Sequence, residues 1–257
     1  MTTNKPVIVL IHGAWHIPNS YQKFTDALKS AGYEVEVPAL PSMNGSRPPN
    51  ADLSTDTAFI RNHVERLIDS GRTVVAITHS YGGQVGSNAL HGLGVNSHAG
   101  KSGGVAHLIY MCAFALPEGK SMFSKVKESG HEHLLPLVFD FAEDDSCVLR
   151  DPKMLIVGPG ASDDEADKYV SSLVRWNGKS MYQDTTHAAW REIPVTYIYT
   201  SQDMSVPFDY QKSMVETMRG EGREVRTVEL ETGHAPNLTA TKEVVDVVIQ
   251  VMADLNK

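Results

Sequence analysis

Short, wholly apolar runs alternate along this chain with stretches in which hydrophobic residues recur every three or four positions. Val7-Ile8-Val9-Leu10-Ile11 is continuous and rich in β-branched residues, and it stops at His12-Gly13; this is the pattern of a parallel strand covered on both faces. From Tyr21 to Ala31, the residues Phe24, Ala27, Leu28 and Ala31 keep helical spacing until Gly32, and a short strand is expected at Glu34 to Val37. Residues 38 to 54, rich in Pro, Asn and Ser, read as a loop. After it, Ile60, Val64, Leu67 and Ile68 mark a helix ending near Gly71, and Val74 to Ile77 is a second buried strand. Further strands are expected at Val105 to Met111, Val195 to Tyr199 and Val225 to Leu230. The stripe Val244, Val248, Val251, Met252 and Leu255 predicts a C-terminal helix.

This alternation predicts an α/β protein with a mainly parallel, doubly wound sheet. The rhythm breaks between about Pro117 and Glu192. Ser162 to Glu165 has capping-box chemistry there, several helices are expected, and no buried strand stands out. The organisation that follows is a core of residues 1–116 and 193–257 with a mostly helical cap insertion, 117–192, over the carboxyl edge of the sheet. Gly92 to Gly104 reads as a variable surface connection.

At 257 residues the chain is long enough for one full core. A formal net charge of −8, from 31 acidic against 23 basic side chains, argues against nucleic acid as a partner, because phosphate recognition needs clustered Lys and Arg. No stretch has the length of a membrane span, and the apolar run after Met1 to Pro6 is too short for a signal peptide, so the expectation is a cytoplasmic protein, monomer or homodimer. Cys112 and Cys147 are expected to be free thiols.

Candidate chemistry collects where strands end. Thr78-His79-Ser80-Tyr81-Gly82-Gly83 follows a buried strand and precedes a helical stretch, the place for a nucleophile elbow with Ser80 at its tip. The residues two positions either side of the serine must be small; Gly82 fits, whereas Thr78 stands where a G-x-S-x-G pattern has glycine. The Tyr81 N–H follows the serine and the Ala14 N–H lies after the first strand, so these two are the expected oxyanion donors. Asp203 lies just after the strand Val195 to Tyr199, and His234 just after the last strand. Serine, aspartate, histidine is the order this kind of elbow uses, with the carboxylate orienting the imidazole that takes the serine proton.

His12 reads as a structural histidine holding its loop, and Trp15 and His16 as pocket walls. His131-Glu132-His133 lacks the second histidine of an H-E-x-x-H motif, since Leu135 stands there, so no metal is assigned. Gly158-Pro159-Gly160 lacks the Lys and Ser or Thr of a phosphate loop, and no cofactor is implied. The substrate pocket is expected to combine Trp15, Tyr81 and Met204 with Phe123, Leu134, Trp176 and Met181 from the cap.

Across nearly its whole length the chain resembles the small α/β-hydrolases related to plant methylesterases, such as salicylate methylesterase, and to hydroxynitrile lyases, with bacterial and fungal esterases. The resemblance rests on His12-Gly13-Ala14, Thr78 to Gly83, Ala113-Phe114, Ser171-Ser172-Leu173, and the settings of Asp203 and Gly233-His234. It implies an α/β-hydrolase fold with an apolar pocket under the cap. The family's lyases carry threonine where Gly13 stands and lysine where Ala235 stands, so the resemblance implies ester hydrolysis, or lactone or thioester hydrolysis with the same residues, rather than cyanohydrin cleavage. A non-hydrolytic lyase, isomerase or ligand-binding member is the alternative of a different class. Thr78 and Ile17-Pro18-Asn19 depart from the plant pattern, so substrate preference does not carry over.

Overall fold

A computed structural model describes residues 5–97 and 103–255. The first half of the chain runs through β1 (Val7–Ile11), α1 (Gln22–Ser30), β2 (Val35–Glu36), α2 (Leu53–Asp69), β3 (Thr73–His79), α3 (Gly82–Ala89) and β4 (Gly104–Met111). The inserted segment carries α4 (Met122–Glu128), α5 (Leu135–Val138), β5 (Phe139–Phe141), β6 (Ser146–Leu149), α6 (Asp163–Ser171) and β7 (Trp176–Asn177). The chain then returns through β8 (Val195–Thr200), α7 (Phe208–Gly220), β9 (Val225–Leu230), α8 (Pro236–Thr239) and α9 (Thr241–Asp254).

Six strands form one sheet in the order β2-β1-β3-β4-β8-β9, and every neighbouring pair is parallel. The continuous apolar runs are explained by this placement: β1 is buried at all five positions, because helices cover both faces. Residues facing one side of the sheet (Ile8, Leu10, Val75, Ile77, Ile109) pack with Phe24 and Leu28 of α1 and Val244 and Val248 of α9. Those facing the other side (Val7, Val9, Ile11, Val74, Ala76) pack with Ile60 and Val64 of α2. The strand order reverses on either side of β1 and β3, and in such sheets ligands gather at the carboxyl ends beside the reversal. Ser80 lies there.

The insertion is more than helical. Its capping box forms as expected, with Ser162 Oγ accepting from the Glu165 N–H and the Glu165 carboxylate accepting from the Ser162 N–H, both at 3.3 Å. No buried strand stands out along this segment's sequence, yet β5, β6 and β7 make a three-stranded antiparallel sheet with β6 largely buried. With two to four residues each, these strands are too short for an alternation to register, and tertiary pairing alone defines them. Of the connection from Gly92 to Gly104, residues 98–102 lie outside the described residues, as does the lead-in 1–4; the Val105 N–H donates to the Leu93 carbonyl at 2.8 Å. Cys112 and Cys147 are both unpaired and buried. Among the described residues no helix is long and apolar enough to cross a membrane.

Candidate active site

The turn from β3 into α3 holds Ser80 at φ +53, a left-handed conformation that costs a non-glycine residue on the order of 1–3 kcal/mol and persists only where its surroundings enforce it. Here the Ser80 carbonyl accepts from the N–H groups of Gly83 at 2.9 Å and Phe114 at 3.0 Å. Gly82 is obligatory, because a Cβ there would collide with the carbonyl oxygen of Ile11. Thr78, the departure from the glycine pattern, is accommodated by another glycine: a Cβ on Gly86 would stand 2.7 Å from the Thr78 methyl. The volume usually removed at position 78 is removed across the turn instead.

Asp203 and His234 meet although 31 residues separate them, with His234 Nδ1 2.7 Å from Asp203 Oδ2 and both side chains buried. Asp203 is saturated. Oδ1 accepts from the N–H groups of Ser205 and Val206, each at 2.8 Å, and Oδ2 also accepts from Thr200 Oγ1 at 2.8 Å. An ionised carboxylate only accepts, so the imidazole proton sits on Nδ1 and the Nε2 lone pair is left free. His234 lies against the elbow: its carbonyl accepts from His79 Nε2 at 2.8 Å, and its ring centroid is 4.8 Å from that of His79, the residue preceding Ser80.

Ala14 and Ser80 border the same cavity with Tyr81, and among the described residues neither the Ala14 nor the Tyr81 N–H has a backbone or side-chain partner. Two unspent donors on one concavity can hold developing negative charge. The Tyr81 side chain is anchored behind the cavity, its hydroxyl donating to Asp56 Oδ2 at 2.8 Å. Asp56 also receives the Ser42 hydroxyl at 2.5 Å and the Ser42 N–H at 2.9 Å. Burial pushes its carboxyl up to about 6 against these three donors.

The cavity is roughly 50 Å³, far below the roughly 300–1,000 Å³ of sites for drug-sized ligands. Its walls are Trp15, Phe114, Met122, Val126, Phe139, Trp176, Met181 and Val206, with Ser80 and Ser205 supplying hydroxyls and no charged side chain. Of the residues expected to line a pocket, Trp15, Tyr81, Trp176 and Met181 border this cavity.

Four expected wall residues, Met204, Phe123, Leu134 and His16, do not border it. Met204 is 57% exposed and borders a separate surface cleft with Met154 and Gln202; the turn clamped by Asp203 Oδ1 brings Ser205 and Val206 to the cavity and leaves Met204 outside. Phe123 packs on Tyr182, because Met122 and Val126, at i and i+4 of α4, own the face toward the cavity. Leu134 is 37% exposed on the turn Glu132–Leu134 and does not border the cavity. The walls missed from sequence include Phe114, which follows β4 at the same sheet edge as the other site residues. That position is the signal that could have found it. Phe139 and Met122 carry no comparable signal.

The remaining histidines divide by burial. His12 is structural as expected: Nδ1 donates to the Gly13 carbonyl at 3.0 Å and Nε2 accepts from the Leu40 N–H at 3.0 Å, and burial pushes it down to about 4. His16 is also buried, bonded to the Ala14 carbonyl at 2.7 Å, and it backs the loop rather than bordering the cavity. His131 and His133 bond separately to Tyr210 and Gly130. Among the described residues, metal-ligating side chains converge at His79, Cys112 and His234; there His79 Nε2 at 2.8 Å and Cys112 Sγ at 3.5 Å both donate to the His234 carbonyl.

Comparison with known proteins bears on the family and the fold. An alpha/beta hydrolase, nvfD, of Aspergillus novofumigatus (strain IBT 16806) is 33% identical over 237 residues, covering 91% of this chain and 92% of that protein. A probable hydrolase, R7, of Phoma sp. (strain ATCC 20986 / MF5453) is 27% identical over 249 residues, 96% of this chain and 98% of its own length. Among solved structures, the methylesterase MES16 from Arabidopsis superposes with a TM-score of 0.76 at 14% identity, covering 96% of this chain and 99% of that one, a likeness of fold. The model of the alpha/beta hydrolase family matches residues 8–247, and the chain belongs to that family.

Proposed function

We propose that this protein is a serine hydrolase of small, uncharged carboxylic esters. Ser80 attacks the ester carbonyl, His234 Nε2 takes the serine proton and returns it to the departing alcohol, and Asp203 holds the imidazole in the tautomer that makes this possible. The Ala14 and Tyr81 N–H groups bind the oxyanion. Water then enters by the same route in reverse and releases the acid from Ser80. The observation that carries the reading is the 2.7 Å contact between His234 Nδ1 and Asp203 Oδ2 behind a serine held at φ +53.

The substrate class follows from the walls. A cavity without a charged side chain has nothing to offset the desolvation of an ionic substrate, a cost of several kcal/mol or more, so neutral acyl and alcohol groups are favoured. Its small volume favours short ones. The lyase alternative lacks support at Gly13, where a Cβ would stand 3.0 Å from His79 Nδ1 and 3.1 Å from the Ser80 Cβ, leaving little space for the lyases' threonine.

The test is turnover of p-nitrophenyl esters, aryl methyl esters and lactones by wild type and Ser80→Ala, with labelling by a serine-directed phosphonate. We expect short neutral esters to be cleaved, and Ser80→Ala to lose at least ~10³-fold in kcat with the fold intact. Unchanged turnover in Ser80→Ala sinks the assignment, and a preference for lactones moves the substrate class while keeping the residues.

A further inference from the structure

A chain of hydrogen bonds runs beneath the site, out of reach of any substrate. Tyr21, just before α1, is wholly buried. Its hydroxyl accepts from the Gly13 N–H at 3.0 Å and lies 2.6 Å from His79 Nδ1. His79 Nε2 lies 2.8 Å from the carbonyl oxygen of His234. A carbonyl only accepts, so Nε2 carries the ring proton; burial keeps His79 neutral, well below its ordinary value, so Nδ1 is left as an acceptor. One proton arrangement satisfies every partner: Gly13 N–H to Tyr21 O, Tyr21 O–H to His79 Nδ1, and His79 Nε2–H to the His234 carbonyl.

The three bonds connect the parts that must be in register for catalysis. Gly13 precedes Ala14, and its carbonyl, held by His12 Nδ1 at 3.0 Å, shares a peptide plane with the Ala14 N–H. In a trans peptide the two point opposite ways, so fixing the carbonyl aims the donor. His79 precedes Ser80. The far end of the chain grips the backbone of His234 itself.

We infer that Tyr21 and His79 are positioning residues that set the oxyanion loop, the nucleophile and the base in mutual register. The inference rests on the hydrolase reading above. Neither residue borders the cavity, so neither contributes to ground-state binding; misplacement of reacting groups by a fraction of an ångström is read in kcat.

The test compares wild type with Tyr21→Phe, which removes one oxygen and keeps the ring. We expect kcat to fall about 10- to 100-fold, KM to stay unchanged, and phosphonylation of Ser80 to slow in proportion. A second pair covers a Tyr21→Phe protein that does not fold. The amide of His79→Gln is able to accept from Tyr21 and donate to the His234 carbonyl, and this variant should retain kcat within about five-fold where His79→Leu loses it. Tyr21→Phe turning over like wild type, or equal loss in the two His79 variants, overturns the inference alone. A wild type that neither turns over esters nor is phosphonylated at Ser80 overturns the hydrolase reading and the inference with it.

Discussion

The indole N–H of Trp15 donates to the carbonyl of Cys147 at 3.1 Å across 132 residues of sequence, tying the loop after β1 to the middle strand of the inserted sheet. Trp15 itself stands at φ +63, and its carbonyl accepts from the Val174 N–H at 2.8 Å. Its ring stacks on Phe139 with centroids 5.6 Å apart and meets the edge of Trp176 at 5.2 Å. The insertion therefore braces the residue next to the proposed oxyanion donor Ala14.

Trp15→Phe keeps an aromatic ring but removes the indole N–H that donates to the Cys147 carbonyl. We expect a stability loss of about 1–3 kcal/mol and a fall in kcat/KM of about ten-fold, with faster limited proteolysis within residues 117–192. Proteolysis unchanged from wild type would mean that the brace does not hold the insertion.

Buried histidines make the fold sensitive to acid. Burial lowers His12 to about 4 and His16 to about 3, and drives His79 down as well. A depressed folded-state value means stability that is present above the ordinary histidine value of 6.5 and lost as pH falls through the folded one. Between pH 6.5 and 4 the loss is on the order of 3 kcal/mol for His12 alone. Urea unfolding at pH 7 and pH 5 should show this decline, and His12→Gln should flatten part of it.

Asp56 works in the opposite sense. Its folded value is raised by burial to about 6, so its contribution is fully present below its ordinary value of 3.8 and lost as pH rises through about 6. In Asp56→Asn that loss disappears, and the melting temperature of the variant relative to wild type should climb between pH 4 and pH 8. A pH-independent difference would show that the folded protein does not hold this proton more tightly than the unfolded chain.

Gly82→Ala should be among the most damaging single substitutions at the elbow. The added methyl meets the carbonyl oxygens of Ile11 and His12, backbone that cannot step aside without pulling β1 from β3. The expected cost is about 3 kcal/mol or more, measured as a shift of the urea midpoint at constant slope.

Much of this architecture was already written along the chain. The runs at Val7 to Ile11 and Val74 to Ile77 marked buried parallel strands because a strand covered on both faces has no polar side to display. Ser80, Asp203 and His234, the proposed triad, stand out in the sequence because each follows a strand, and a doubly wound sheet delivers all its carboxyl ends to one edge. What surrounds them was decided by tertiary structure. β5, β6 and β7 exist only through their pairing with one another. The phase of α4 brings Met122 rather than Phe123 to the cavity, and the clamp on Asp203 leaves Met204 outside it. Tyr21, Asp56 and Trp15 act through partners 58, 25 and 132 positions away. Strand burial and local turns are properties of neighbouring residues, so a linear pattern records them; the walls of a cavity and the bonds beneath it depend on which distant surfaces meet.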